Sequence, residues 1–445
     1  MTDLSATTGV TDRLNGVDAV GSALSAGTPE RHPRDRATEA IRDFVDRNAP
    51  ATPCLVMDLA AVRQRYSALR AALPDARICY AVKANPTPRV VSELTALGSS
   101  FDVASPGEIE LCLDRGAAPE DISYGNTIKK PSDIAYAHAR GVGLFATDSQ
   151  ADLDNIAEQA PGASVFCRLL VANDGSRTPF GDKFGCAPET AVRLLHRAQQ
   201  LGLDPWGVSF HIGSQQLDPA AYGHGIDAAA AVSRGLEQHG IGLRMVNLGG
   251  GLPATYTESA PALAEYAAEV ERALSANFGS RRPELLIEPG RHVVGDAGVV
   301  HGEVVLVTPE AAGDRRWVYL DVGRYNGLAE TEGEAITYRL RTSRDGDPTG
   351  PVVLAGPTCD GDDVLYRSNR YELPLTLRGG DRVELLSAGA YTASYSSVGF
   401  NGFAPLPTHC VDSGSAVDGD DPVGGESSRG AELQSHRGDA LTERR

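Results

Sequence analysis

Eight short apolar runs, rich in β-formers, alternate with helical patterns along the middle of this chain, and that alternation limits the fold more than any other feature. The runs are ARICYAVKA (residues 76–84), SFDVAS (100–105), DISYGN (121–126), GLFATD (143–148), SVFCRLLV (164–171), WGVSFHIG (206–213), RMVNLGGG (244–251) and ELLIEPGR (284–291). Between them lie segments such as PRVVSELTALG (88–98) and ALAEYAAEVERALSANF (262–278), whose apolar residues recur at three and four with Gly near the ends. This is the sequence form of βα units around a parallel sheet. Eight units close a barrel. The expected fold is therefore a TIM-like (β/α)8 barrel over residues 59–291, with an open doubly wound sheet as the other arrangement the pattern permits.

After residue 291 the texture changes. HGEVVLVTPE, RRWVYLDV, GPVVLAGP and DRVELLSAGAY follow one another across Gly, Pro and Asp turns without a long helix. They predict an all-β C-terminal domain, a small barrel or sandwich, over residues 292–410. Residues 38–58 join it from the N-terminal side through CLVMDL. Residues 1–37 and 411–445 are polar and rich in Gly, Ser, Thr, Asp or Glu; they predict disordered tails, because neither buries enough apolar surface to offset its ordering entropy.

A formal net charge of −18 argues against nucleic acid, whose binding needs clustered cations to neutralise phosphates. It suits a cationic small substrate better. The first twenty residues contain no continuous apolar core, so neither a secretory signal nor a membrane anchor is visible and a cytoplasmic protein is expected. Seven cysteines (Cys54, Cys79, Cys112, Cys167, Cys186, Cys359 and Cys410) are scattered and free of CxxC pairing, which reads as reduced thiols rather than a zinc site or a disulfide framework.

In a parallel barrel the functional groups gather at the C-terminal ends of the strands. Here those ends hold Lys83, Asp102 with Ser105, Asn126, Asp148, Arg168, His211 with Ser214, a triple glycine, and Glu288 with Arg291. The chain has four lysines (Lys83, Lys129, Lys130 and Lys183) among 41 basic residues, and of these Lys83 alone ends an apolar run. A lysine there could simply snorkel to solvent. Its retention in a chain that otherwise uses Arg points instead to an amine that must lose its proton and attack a carbonyl. Gly249, Gly250 and Gly251 permit close approach of backbone N–H groups to a phosphate, or else form a tight βα turn. Arg291 adds a possible phosphate ligand in the loop position where barrels often bind one. His211 reads either as a core histidine or as a ring stacked on a planar cofactor. Glu288 either pairs with an arginine or holds a pyridine nitrogen protonated. Amine, ring, phosphate cup and carboxylate together describe pyridoxal 5'-phosphate (PLP) better than nicotinamide or a metal.

YAVKANP (80–86), FDVASPGEIE (101–110), GVSFHIGSQ (207–215), NLGGG (247–251), EPGR (288–291), GPTCDGDDVL (356–365), GAYT (389–392) and FNGF (400–403) closely resemble the fold-type III ornithine/lysine decarboxylases, from about residue 50 to 407. The resemblance implies a barrel followed by a β domain, and a homodimer with active sites shared at the interface. Lys83 would form the Schiff base with PLP, His211 would stack on the ring and Glu288 would pair with its nitrogen. Asp102 and Arg168 would support the ring side. Ser214, Gly249, Gly250, Gly251, Gly290, Arg291 and Tyr391 would bind phosphate. From the other subunit, Cys359 would act as the acid, Asp360 would meet the distal amine and Phe400 would line the substrate site.

Bottom-up, CDGDD is also readable as an acidic turn, although a thiol beside a carboxylate suits proton delivery near a cationic substrate. DVGRYNGLAETEGEAITY (321–338) looks closer to the bacterial branch of the family, and Glu334, Glu332 and Glu330 compete as the acid that holds the distal amine. The implied activity is decarboxylation of a basic L-amino acid, ornithine or lysine, to putrescine or cadaverine. Diaminopimelate decarboxylase, alanine racemase-like chemistry and a non-catalytic antizyme-inhibitor-like binding protein are the competing readings.

Overall fold

The structure is a computed structural model and describes residues 33–311 and 313–414, with side chains from residue 38 onward. Eight parallel strands close a barrel in the order of the chain: Ala76–Ala81, Ser100–Val103, Ile122–Tyr124, Leu144–Thr147, Ser164–Arg168, Asp204–Ser209, Met245–Asn247 and Glu284–Ile287. The last pairs back onto the first, Leu285 opposite Ala76. That closure excludes the open doubly wound sheet. Each strand lies within one of the eight apolar runs except Asp204–Ser209, which starts two residues before its run. The runs, however, overstate most of the strands at their C-terminal ends, because the last residues leave the ladder to form loops. Lys83, for instance, lies in a 3-10 turn, Val82–Ala84, rather than in the strand itself.

The helices cover the outside of this sheet. Pro88–Ala96 starts on a proline in its first turn and buries Val90, Val91 and Leu94, spaced one and three apart on one face. Leu263–Phe278 buries Tyr266, Val270, Ala273 and Leu274 in the same manner. Inside the barrel a separate cluster of Cys79, Leu144, Ala146, Phe166, Met245 and Leu286, with Trp206 beside it, fills the interior. The barrel is therefore plugged, and its chemistry is confined to the rim.

The second domain is an eight-stranded mixed sheet. Its longest strand, Gly298–Pro309, pairs with Arg382–Leu386 and Cys54–Asp58 along its first part and with Arg316–Leu320 along its second. The register shifts between Val304 and Leu306, and a bulge of this kind bends a strand so that it serves two half-sheets. Cys54–Asp58 also pairs in parallel with Thr408–Val411, so the strand written by CLVMDL is held from both sides.

The expected tail boundaries shift outward, toward the termini, at both ends. Helix Pro33–Asn48 begins inside the expected N-terminal tail, and its Ile41 and Val45 are buried with Cys54, Val56 and Val299. At the other end Asp412 pairs with Arg63, and the Ser413 hydroxyl donates to Asp58 Oδ2 at 2.7 Å. Residues 1–32 and 415–445, which make up the rest of the expected tails, lie outside the described residues. All seven cysteines are free, with Cys167 Sγ and Cys186 Sγ 3.5 Å apart. Among the described residues no helix is long and apolar enough to cross a membrane, and no cluster of His, Cys, Asp and Glu is arranged to hold a metal.

Candidate active site

Alternation along the strands decides which side chains enter the barrel mouth. Tyr80 and Val82 pack outward into the main core while Cys79 faces inward, and the turn Val82–Ala84 that follows the strand carries Lys83 to Asp102. Phe101 and Val103 point outward and leave Asp102 inside. Val165 and Cys167 do the same for Arg168, and Leu285 and Ile287 for Glu288. Four strands thus deliver an amine, two carboxylates and a guanidinium to one opening.

Lys83 Nζ donates to Asp102 Oδ2 at 3.0 Å. Protein surrounds the lysine, yet its side chain is 46% exposed, because it faces the open mouth of the barrel; Asp102 is buried at 4%. Burial opposes the ammonium charge, but Asp102, Tyr391 and Glu288 outweigh it and hold Lys83 above its ordinary range. The amine therefore rests protonated against Asp102, and it reacts with a carbonyl only after giving that proton up. The other lysines are placed differently. Lys129 Nζ is fully buried and donates to Asp152 Oδ2 at 2.9 Å and to the carbonyls of Asn126 and Ala146, a structural ion pair, and Lys183 Nζ lies over the Phe184 ring at 4.8 Å.

Gly125 is what makes room for Asp102. A Cβ there would stand 2.0 Å from Asp102 Oδ1, a buried atom without a hydrogen-bond partner among the described residues. Gly125→Ala is expected to cost about 1–3 kcal/mol of stability by overpacking, read from denaturant unfolding of the apoprotein. An unchanged midpoint would mean that Asp102 swings aside freely and is not held against Lys83 by its surroundings.

Glu288 accepts from the Asn247 side-chain amide. Burial, reinforced by Asp102 and opposed by Lys83, Asn247 and Arg168, pushes its carboxyl up to about 7. Such an acid stays half-protonated until a cation arrives, which is the property needed to pair with a ring N–H. His211 Nδ1 accepts from the Gly213 N–H at 3.1 Å, which leaves the proton on Nε2. Burial, with Arg168 and Lys83 as cationic neighbours, lowers its pKa well below the ordinary histidine value, so the ring is neutral and flat-faced. Phe180 meets it edge-on at 4.5 Å. The Arg168 guanidinium lies over Phe184 at 5.2 Å and Phe180 at 6.0 Å, and burial lowers its pKa.

The triple glycine closes against these groups. A Cβ at Gly249 would lie 2.0 Å from the Phe210 carbonyl, and one at Gly250 would lie 2.8 Å from the Glu288 carbonyl and 2.9 Å from His211 Nε2. The Gly249 N–H donates to Asn247 Oδ1, whereas the amides of Gly250 and Gly251 have no protein acceptor among the described residues. Ser214 is carried beside them by a two-stranded ribbon, Ser176–Thr178 against Ser214–Gln216. Gly290 lets Tyr391 approach: a Cβ there would stand 3.0 Å from the Tyr391 hydroxyl.

A family profile described as pyridoxal-dependent decarboxylase, pyridoxal binding domain, matches residues 59–295, more than half of the chain. The chain belongs to this family. The lysine/ornithine decarboxylase of Selenomonas ruminantium is 35% identical to it over 80% of this chain and 89% of its own length. The structure of SrLDC in complex with PLP and cadaverine aligns at a TM-score of 0.74 and 33% identity, over 86% of this chain and 94% of the other. Antizyme inhibitor 2 of Xenopus laevis is also similar, 33% identical over 84% of each chain. This family member is a PLP-dependent decarboxylase, and the residues at the barrel mouth fit its cofactor: an amine, a neutral flat ring, a buried acid of raised pKa, and amides and a hydroxyl grouped at a glycine cradle.

Several expected site residues stand elsewhere in this decarboxylase. Glu334 does not reach the barrel mouth. Its carboxylate accepts the backbone N–H groups of Arg367, Ser368 and Asn369 at 2.6–2.7 Å. Burial works against its charge, but those amides hold its carboxyl below the usual range. Glu332 is exposed and paired with Arg324 at 3.1 Å. Glu330 forms a bidentate pair with Arg291 at 2.6 and 2.8 Å. As placed, none of the three is free for a distal ammonium. Arg291, expected as a phosphate ligand, stands beside Ser214: its Nε and Nη2 donate to Ser214 Oγ at 3.3 and 3.0 Å as well as pairing with Glu330. Cys359, Asp360 and Phe400 group at a separate surface of the β domain, where Cys359 contacts Asn401 and Phe400 packs on Tyr325 at 4.5 Å.

Phe180, Asn247, Tyr256 and Gly125 hold the site together and were not singled out from the sequence. Asn247 opens NLGGG, where alternation along the strand is a usable signal. Phe180 lies in a loop without any periodicity to mark it.

Proposed function

We propose that this decarboxylase converts a basic L-amino acid, L-ornithine first and L-lysine with it, into the corresponding diamine and carbon dioxide. The observation that carries the reading is Lys83, set against Asp102 and within the field of Glu288. The bound cofactor supplies a ring that accepts the electron pair of the breaking bond between Cα and the carboxylate carbon. Lys83 would hold the cofactor through its amine, the group that the substrate amine would displace. His211 would cover one face of the ring, with Arg168 beside it. Glu288 holds the ring nitrogen protonated, which its raised pKa suits. Ser214, Gly249, Gly250, Gly251, Gly290, Arg291 and Tyr391 form the phosphate end.

Loss of carbon dioxide leaves Cα one proton short, and an acid must replace it. Cys359 is exposed, lies beside Asp360 in sequence and contacts Asn401, and among the described residues it makes no hydrogen bond to Lys83. A second copy of the chain, in a homodimer with shared sites, would bring both over the barrel mouth. There Cys359 Sγ–H gives the proton to Cα and recovers one from solvent, Asp360 meets the distal ammonium and Phe400 lines the site. The seven free thiols suit a reducing, cytoplasmic setting.

Carbon dioxide release measured on ornithine, lysine, arginine and diaminopimelate separates the readings. Ornithine or lysine is expected to lead in kcat/KM by at least about tenfold, the low end of what a one-methylene misfit is worth. Preference for diaminopimelate would reassign the substrate. Release from none of the four would favour a binding protein like the antizyme inhibitors.

A further inference from the structure

Residues 179–184, PFGDKF, pass beside the barrel mouth, and among the described residues none of them makes a hydrogen bond. Their two phenylalanines nevertheless meet the ring side of the site. Phe180 stands edge-on to His211, with centroids 4.5 Å apart and planes at 84°. The Arg168 guanidinium lies 5.2 Å from the Phe184 ring and 6.0 Å from that of Phe180. Phe180 is 40% exposed, so burial does not by itself keep it there. Ring contacts of this kind are also too weak to offset the entropy of ordering the whole segment. Its order must come from its two feet.

At the first foot Ser176–Thr178 pairs with Ser214–Gln216, and the Thr178 hydroxyl donates to the Ser214 carbonyl at 3.3 Å. At the second, the Cys186 N–H donates to the Arg168 carbonyl at 3.0 Å and the Leu170 N–H to the Cys186 carbonyl at 2.9 Å. The Gly185 N–H donates to Asp148 Oδ2 at 2.8 Å. Gly185 has φ +93°, and a Cβ there would stand 2.7 Å from the Leu170 nitrogen and 2.8 Å from the Leu169 carbonyl, so the chain meets the rim this closely only as glycine. Asp148, which follows the barrel strand Leu144–Thr147, is the side chain that receives the foot.

We propose that Asp148 is a positioning residue for the decarboxylation: its carboxylate holds the Gly185 N–H, and the segment fixed in this way sets Phe180 and Phe184 against His211 and Arg168. The His211 ring then keeps one orientation toward the cofactor. Asp148 acts through those two phenyl rings rather than on the reacting atoms. This role rests on the cofactor placement proposed above.

Two readouts test it: kcat with the faster of ornithine and lysine, and the visible circular dichroism per bound PLP, which reports how the cofactor is oriented in the protein. Wild-type protein without such a band in PLP fails the placement, and the role of Asp148 falls with it. With the band in hand, Asp148→Ala is expected to lower kcat about tenfold and to change the band, while KM stays within about threefold. Asp148→Asn keeps an acceptor oxygen and is expected to stay within about threefold of wild type. In a Phe180→Ala/Phe184→Ala background, Asp148→Ala is expected to cost less than about a further twofold, because the rings through which it acts are gone.

A tenfold loss that persists in that background overturns the proposal, since a merely structural aspartate acts without the rings. So does an unchanged kcat in Asp148→Ala, or a loss that leaves the dichroic band as it was. Asp148→Asn as low as Asp148→Ala contradicts it as well, by assigning the effect to charge beside Arg168 and not to the grip on Gly185. Should Asp148→Ala fail to fold, Gly185→Ala displaces the same foot from the other side and takes its place in the cycle. Its loss is expected to shrink to less than about twofold without the two rings, and an undiminished loss is the contradicting result.

Discussion

Lys83→Ala is expected to lower decarboxylation about ten-thousand-fold while the protein still folds, because the loss falls on covalent catalysis and not on packing. The lysine projects into the barrel mouth with its side chain 46% exposed, so removing it opens no cavity in the apolar core. Its removal does leave Asp102 buried without its cation, and that carboxylate already has one oxygen unpartnered among the described residues. Part of the stability is therefore expected to go with the charge. Lys83→Arg answers that objection, since it retains a cation for Asp102 yet cannot form a bond to a carbonyl carbon under these conditions. Equal inactivity in both variants, with stability restored in the arginine form, is the expected pattern. Steady turnover in either variant would remove Lys83 from the chemistry.

The second large effect is expected at Glu288. Glu288→Gln is isosteric and retains a partner for Asn247, yet it cannot carry the negative charge that keeps a ring nitrogen protonated. A fall in kcat of about a hundred- to ten-thousand-fold is expected, with cofactor binding largely retained. The apoprotein gives an independent check with a definite sign. Burial raises the Glu288 carboxyl from 4.5 to about 7, so between those values the folded chain holds a proton that the unfolded chain has released. Folding stability from this group is then present at low pH and declines as pH rises toward about 7. Glu288→Gln lacks the titrating group, and its apoprotein is expected to lose that part of the decline and to be the more stable form at neutral pH. A wild-type apoprotein and a variant with parallel stability–pH curves would show that the carboxyl is not raised.

Much of the barrel was legible because period-two alternation and helical spacing are local properties of the chain. Lys83, Asp102, Arg168 and Glu288 could be assigned to strand ends, and the structure gathers them at one mouth. The glycines were legible as a close approach, and the atoms they approach, the Phe210 and Glu288 carbonyls, were not. What the sequence hid was long-range pairing. Glu330 and Arg291 are 39 residues apart and on different domains, and nothing local distinguishes a glutamate that will meet a substrate from one that will meet an arginine. Glu334 misled for a related reason: its partners are three consecutive backbone amides on a neighbouring strand, which have no side-chain signature. The N-terminal tail boundary slipped because two apolar residues just beyond it, Ile41 and Val45, suffice to dock the polar helix that starts within it, and the C-terminal one because Asp412 and Ser413 meet Arg63 and Asp58.

Reductive trapping tests the central claim most directly. The protein is incubated with PLP, treated with borohydride and digested, and the peptide that carries the cofactor is located by mass. The account predicts the label on Lys83, in the peptide spanning the turn Val82–Ala84, with Lys129, Lys130 and Lys183 unmodified. Label on another lysine, or an unlabelled Lys83 in protein that decarboxylates, would contradict it.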